Sequence, residues 1–152
     1  MKYGLKSTVK FVVLMTTVAV ISGCQTMSPT ASSSTLYDML GGNQGVTKIV
    51  QGTLDYTLSD SRIAHTFDNS NVKRVETLLI EQICDLTDGP CEYSGQTMER
   101  SHRGLNLNSM HFNALVENMQ KAMRDNNVPF RTQNQLLAIL APMHDDVVGR
   151  SR

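Results

Sequence analysis

The sequence has no tryptophan, only four phenylalanines and 5% aromatic residues in all. Its core must therefore be filled by Leu, Val, Ile, Met and Ala, a palette that suits helices better than sheets. It also lacks any excess of charge, since 14 basic residues balance 14 acidic ones. Lys2, Lys6 and Lys10 all precede residue 24, and residues 1–23 hold no acid, so the remainder carries a net −3. A mildly acidic chain without a basic stripe has no electrostatic footprint for phosphate backbones; nucleic acid is excluded as a partner, and charge alone will not hold the chain to a membrane. The apolar run Phe11–Ile21 is too short to span a bilayer. None of the three cysteines has the close Cys or His companion that a structural zinc needs. At 152 residues, one compact domain is expected.

What is present at the N-terminus is an address. Three lysines followed by the apolar run Phe11–Ile21 have the layout of a secretory signal. Ile21-Ser22-Gly23-Cys24 then resembles a bacterial lipobox, which makes residues 1–23 a lipoprotein signal peptide and Cys24 the lipidated first residue of the mature chain. More than one acyl chain on that residue gives a stable anchor. Gln25, where sorted lipoproteins retained at the inner membrane carry Asp, points to the periplasmic face of the outer membrane. Residues 24–35, rich in Ser and Thr, read as the lipidated terminus and a flexible tether, and residues 36–152 as the domain.

From Leu36 onward the apolar spacing is helical, and no strand signal or internal repeat competes. Leu36–Leu40 is a short helical turn stopped by Gly41-Gly42. A helix follows over about Asn43–Leu58, and Ser59-Asp60-Ser61 caps a short segment ending near Phe67. Ser70 or Asn71 caps the next long helix, whose phase is Val72, Val75, Leu79 and Ile83; Asp88-Gly89-Pro90 should end it. Asn108 caps a helix with Phe112, Leu115, Val116, Met119 and Met123 in phase. A closing helix carries Leu136, Leu137, Ile139, Leu140, Met143 and Val147, with a bend expected at Pro142. Between the two long central helices lies a loop-rich stretch, Thr87–Leu107, holding one histidine, His102. A lone histidine at that spacing specifies no chemistry by itself.

Five motifs in order do. Leu36-Tyr37-Asp38-x-Leu40-Gly41-Gly42, Leu58-Ser59-Asp60 followed by Phe67, Tyr93-Ser94-Gly95-x-x-Met98-x-x-x-His102-x-Gly104, His111-Phe112 and Leu140-Ala141-Pro142-Met143 together resemble a group I truncated haemoglobin over Leu36–Val148. The resemblance implies an all-α, two-over-two helical sandwich around haem b, iron protoporphyrin IX, with His102 as the proximal iron ligand. An imidazole whose other ring nitrogen is held by a backbone carbonyl or water keeps such an iron competent for diatomic ligands. Phe67 falls where the family packs an aromatic on the porphyrin, and Met98, four residues before His102, shares its face if that stretch is helical. Phe112 belongs to the same expected lining. Tyr93, Lys73, Arg74, Arg100 and Arg103 are candidates for the haem propionates. His65, His111 and His144 are expected in surface or helix-end roles, with His65 the best placed to act as a sixth donor.

The sequence departs from the family on the distal side. Many relatives offer a tyrosine hydroxyl from the second helix; ungapped placement puts Leu54 there. Tyr56 lies two residues on, about 200° around the helix, and should face away, while Thr53 is the nearest possible substitute. The following helix presents Val75 and Leu79 where polar groups are common, so the distal pocket should be apolar. Cys84 and Cys91 form a second peculiarity. Continuous helix would hold them about 10 Å apart, so a disulfide, which the oxidising envelope favours, needs the chain to fold back at Asp88-Gly89-Pro90; two free thiols are the alternative.

These features favour a haem globin that binds or senses a diatomic gas (O2, NO or CO) at ferrous iron in the cell envelope, with an envelope reductase as partner. The alternative is a haem oxidoreductase, NO-detoxifying or peroxidase-like, but Leu54, Val75 and Leu79 offer no acid or base for O–O cleavage. A haem-free interaction module is a third possibility.

Overall fold

The computed structural model describes residues 34–149; the signal segment and Cys24 lie outside the described residues. Among the described residues there are seven α-helices, two 3-10 turns and no strand. The helices are α1 (Leu36–Met39), α2 (Gly42–Ser59), α3 (Val72–Leu86), α4 (Met98–His102), α5 (Ser109–Asp125), α6 (Phe130–Leu140) and α7 (His144–Val148). The 3-10 turns are Ala64–Phe67, between α2 and α3, and Ala141–Met143, between α6 and α7. The architecture is the two-over-two helical sandwich, with α2 packed most extensively on α5 and next on α3.

Local chemistry sets most of the boundaries. Thr35 and Asp38 form a capping box on α1, with each side chain taking the other's backbone N–H at 3.1 Å. Gly41 enters α2 at φ +94°, a conformation a side chain resists, and at Gly45 a Cβ would collide with the Leu40 carbonyl, so α1 and α2 can pack end to end. Asn71 caps α3 through the Arg74 N–H, and Asn108 caps α5 through the N–H groups of Met110 and His111. A Cβ at Gly52 would lie 3.2 Å from that of Ala122, a measure of how closely α2 and α5 approach. Val46, Ile49, Val50, Ile83, Met119, Met123 and Leu136 fill the core between the pairs.

Two breaks differ from expectation. The closing segment is not one bent helix: α6 stops at Leu140, Pro142 sits in a 3-10 turn, and α7 starts afresh at His144, because proline removes a donor and crowds the preceding turn. The end of α3 is turned by Asp88, at φ +60°, rather than by Gly89. Gly89 serves sterically instead. Its N–H donates to the Cys84 carbonyl at 2.8 Å, and a Cβ there would lie 2.6 Å from Cys84 Sγ and 2.8 Å from the Tyr37 ring. Cys84 and Cys91 are joined in a disulfide across this turn, with their Cα atoms 5.8 Å apart.

Candidate haem site

Among the described residues, the helices leave an apolar cavity of about 270 Å³. Leu54, Phe67, Val75, Leu79, Tyr93, Met98, His102 and Phe112 all line it. Leu54 comes from α2 and is only 4% exposed, whereas Val75, Leu79 and Phe112 are half-buried, as are Leu115, Val116, Leu140, Met143 and Val147 on α5 to α7. Aliphatic side chains that face one another across open space, uncovered by other protein groups, suit a flat apolar ligand.

The stretch around His102 is helical, which puts Met98 and His102 one turn apart on α4. His102 Nδ1 lies 2.8 Å from the Met98 carbonyl oxygen. A carbonyl can only accept, so the proton sits on Nδ1, and Nε2 carries a lone pair at the cavity wall. His111 also lines the cavity and is 8% exposed, but its ring is in the other state. The Asn108 N–H donates to its Nδ1 at 3.1 Å, which places its proton on Nε2 and leaves no lone pair to offer. Its helix-end role is as expected, while its place in the cavity wall was not. His65 is exposed, edge-on to His111, and is not among the residues that line the cavity. His144 stands away from the cavity too, engaged by Asp145 at 2.9 Å and Ser109 at 3.0 Å. Of the four histidines, His102 alone presents a free lone pair to the cavity.

The remaining polar candidates resolve case by case. Thr53 is fully buried and its hydroxyl donates to the Ile49 carbonyl at 2.7 Å, so it is not available to the cavity. Tyr56 faces away, hydrogen-bonded to Asp125 under Lys121, whose Nζ is 3.8 Å from the ring centroid; the Asp125 carboxylate raises the phenol's pKa. Tyr93 bends over Gly95, where a Cβ would strike its ring, and donates to the Gln96 carbonyl at 2.9 Å; burial pushes its pKa up. Lys73 pairs with Glu76 and Arg103 with Glu99, while neither Arg74 nor Arg100 is in an ion pair among the described residues. Among the lining residues that the sequence reading missed is Gln82, 9% exposed, whose amide meets the sulfurs of Met98 and Met143. Its signal was available: it is the one polar residue in the apolar phase of α3, seven after Val75 and three after Leu79.

A helical sandwich with one imidazole at an apolar slot, its Nδ1 held by a backbone carbonyl, is the arrangement expected of a globin. The description of the bacterial-like globins matches residues 35–148, and the chain belongs to that haem-binding family. It is 27% identical to the group 1 truncated hemoglobin of Tetrahymena pyriformis over 116 residues, covering 76% of this chain and 96% of that one. It is 31% identical over 90 residues to the group 1 truncated hemoglobin GlbN of Nostoc sp., covering 59% of this chain and 76% of the relative. The crystal structure of the Tetrahymena pyriformis protein in its Fe(III) form superposes with a TM-score of 0.74 at 26% identity, over 77% of this chain and all of that one.

Proposed function

We propose that this globin carries haem b on His102 and takes a diatomic gas, O2, NO or CO, at ferrous iron. The observation that carries the reading is the hydrogen bond of His102 to Met98 at 2.8 Å, which fixes the tautomer that leaves Nε2 free to ligate. Haem bound in the cavity supplies an iron able to take up the gas. The chain's own residues do the rest. His102 holds its ring proton on the Met98 carbonyl, Phe67 and Phe112 add aromatic surface, and Arg74 and Arg100, in no ion pair among the described residues, are candidates for the propionates. Leu54, Val75 and Leu79 exclude water and offer the gas no proton, which favours binding or sensing over O–O cleavage. The lipobox at Cys24 supports an anchored form on the periplasmic face of the outer membrane, where an envelope reductase would keep the iron ferrous.

Absorbance spectra of the purified protein, ferric and dithionite-reduced, with O2, CO and NO, test the reading. A haem Soret band that responds to each gas is expected, and its absence after haem addition overturns it. His102→Gly should abolish stable ferrous haem binding and be rescued by added imidazole. A variant that keeps the wild-type spectrum means His102 is not the ligand.

A further inference from the structure

Gln82 occupies a position that the pattern of α3 reserves for an apolar side chain. It faces the cavity with Val75 and Leu79, and a buried amide there costs free energy unless it is hydrogen-bonded. Its side-chain partners are two thioethers, Met98 Sδ at 3.3 Å and Met143 Sδ at 3.7 Å from Nε2. Sulfur only accepts, so the amide must turn its NH2 toward both. A leucine would fill this face without any polar group to satisfy. The amide instead ties α3 to α4 and to the 3-10 turn before α7.

Helix α4 has need of such a tie. It is five residues long and none of them is buried, and its cap from Thr97 holds only its own first turn. Met98 is the junction: its sulfur takes the Gln82 N–H, and its carbonyl takes the His102 Nδ1–H. We propose that Gln82 is a positioning residue for His102, setting through Met98 the direction in which Nε2 faces the cavity. The inference rests on the reading of His102 as the haem ligand. Gln82 touches neither the ligating nitrogen nor the gas; it acts by orienting the residue that orients the imidazole.

Resonance Raman spectra of the ferrous, gas-free protein read that orientation in the iron–histidine stretching band. Gln82→Leu keeps the bulk and removes the donor; it should shift and broaden the band and speed haem loss to excess apomyoglobin about three- to tenfold. Met98→Leu removes the acceptor next to His102 and should move the band likewise, and the double variant should go no further than Gln82→Leu alone, because the Gln82–Met98 contact is already gone there. A purely packing role would lower the thermal midpoint and leave the band where it was. An unmoved band in Gln82→Leu, or two single effects that add in the double variant, overturns the inference while leaving His102 as ligand. A wild-type protein without the band overturns the ligand reading, and the inference with it.

Discussion

The two helical walls of the cavity are built differently. The wall of α2 and α3 is continuous with the core: Leu54 is 4% exposed, and its helix is pressed onto α5 closely enough that a Cβ at Gly52 would push against Ala122. The α4 wall has no buried residue, and the loop after it leaves Leu105 47% exposed. Local ties hold it in place. The disulfide joins Cys91 to α3, Asp85 takes the Tyr93 N–H at 3.4 Å, Glu81 takes the Ser94 hydroxyl at 2.6 Å, Met98 Sδ takes the Gln82 amide N–H at 3.3 Å, and α7 packs on α4. The difference separates two jobs. On the function proposed above, discrimination among gases would belong to side chains fixed by the fold, whereas His102, the proposed iron ligand, would hang on contacts that can be removed one at a time.

The largest effect should come from giving the deep wall what it lacks. Bound oxygen carries partial negative charge and gains from a hydrogen bond; bound carbon monoxide is nearly neutral and gains little. A hydrogen bond to a charged partner is worth roughly 1.5–3 kcal/mol, or about 10- to 150-fold in affinity. Leu54→Tyr projects a hydroxyl into the cavity and should slow oxygen dissociation by about that factor while changing carbon monoxide dissociation much less. Stopped-flow rates for both gases in both proteins decide it. A wild-type oxygen off-rate already as slow as the variant's would mean that a water or the His111 Nε2–H serves the site, since Thr53 and Tyr56 are engaged elsewhere.

The thin wall should respond in stability rather than in gas selectivity. Closing the short loop between Cys84 and Cys91 constrains the unfolded chain by about 2.5 kcal/mol. Replacing both by serine should lower the unfolding free energy by about that amount, seen as a lower thermal midpoint. The haem spectrum at low temperature and the ratio of oxygen to carbon monoxide off-rates should stay as they were. Two reactive thiols in protein purified without reductant would remove the bridge, and a changed ratio would mean that the two walls are not independent.

How much of this was legible in the sequence follows the same division. The long helices announced themselves through phase and caps: α2, α3 and α5 lie within a residue or so of where Asn43–Leu58, the Asn71 cap and the Asn108 cap put them. The cavity lining was legible through motifs, and the eight residues named for it do share one cavity. The helical state of α4 was not, because five residues carry no periodicity and its short span is held by tertiary contacts. The tautomers of His102 and His111 depend on which backbone group each ring meets, which spacing cannot supply. Gln82 was overlooked because it breaks the apolar phase of α3, a place where a local rule fails for a reason visible only once Met98 and Met143 are beside it.

The smallest effect is expected at the corner where the deep wall turns from α2 into the 3-10 segment. Asp60 accepts from the Arg62 guanidinium at 2.7 Å and from the Asn118 amide of α5 at 3.2 Å, and Arg62 reaches on to Glu117 at 2.7 Å. The Arg62 contacts hold the Asp60 carboxyl well below the usual carboxylate range. A group whose pKa is lower folded than unfolded adds stability that is whole above its unfolded value, about 4, and is lost as pH falls through its folded value. Wild type should therefore lose stability below pH ~4 faster than Asp60→Asn, which has nothing to protonate at that position. The variant should be the less stable protein at pH 7, and the two curves should converge in acid, where a protonated Asp60 resembles the amide. Glu76 and Glu81 are also held low, by Gln51 and Lys73 in one case and by Ser94 in the other, but both remain in both proteins. The difference between urea midpoints measured from pH 7 down to pH 2 isolates Asp60. Parallel curves over that range would mean that the corner contributes nothing that pH can reach.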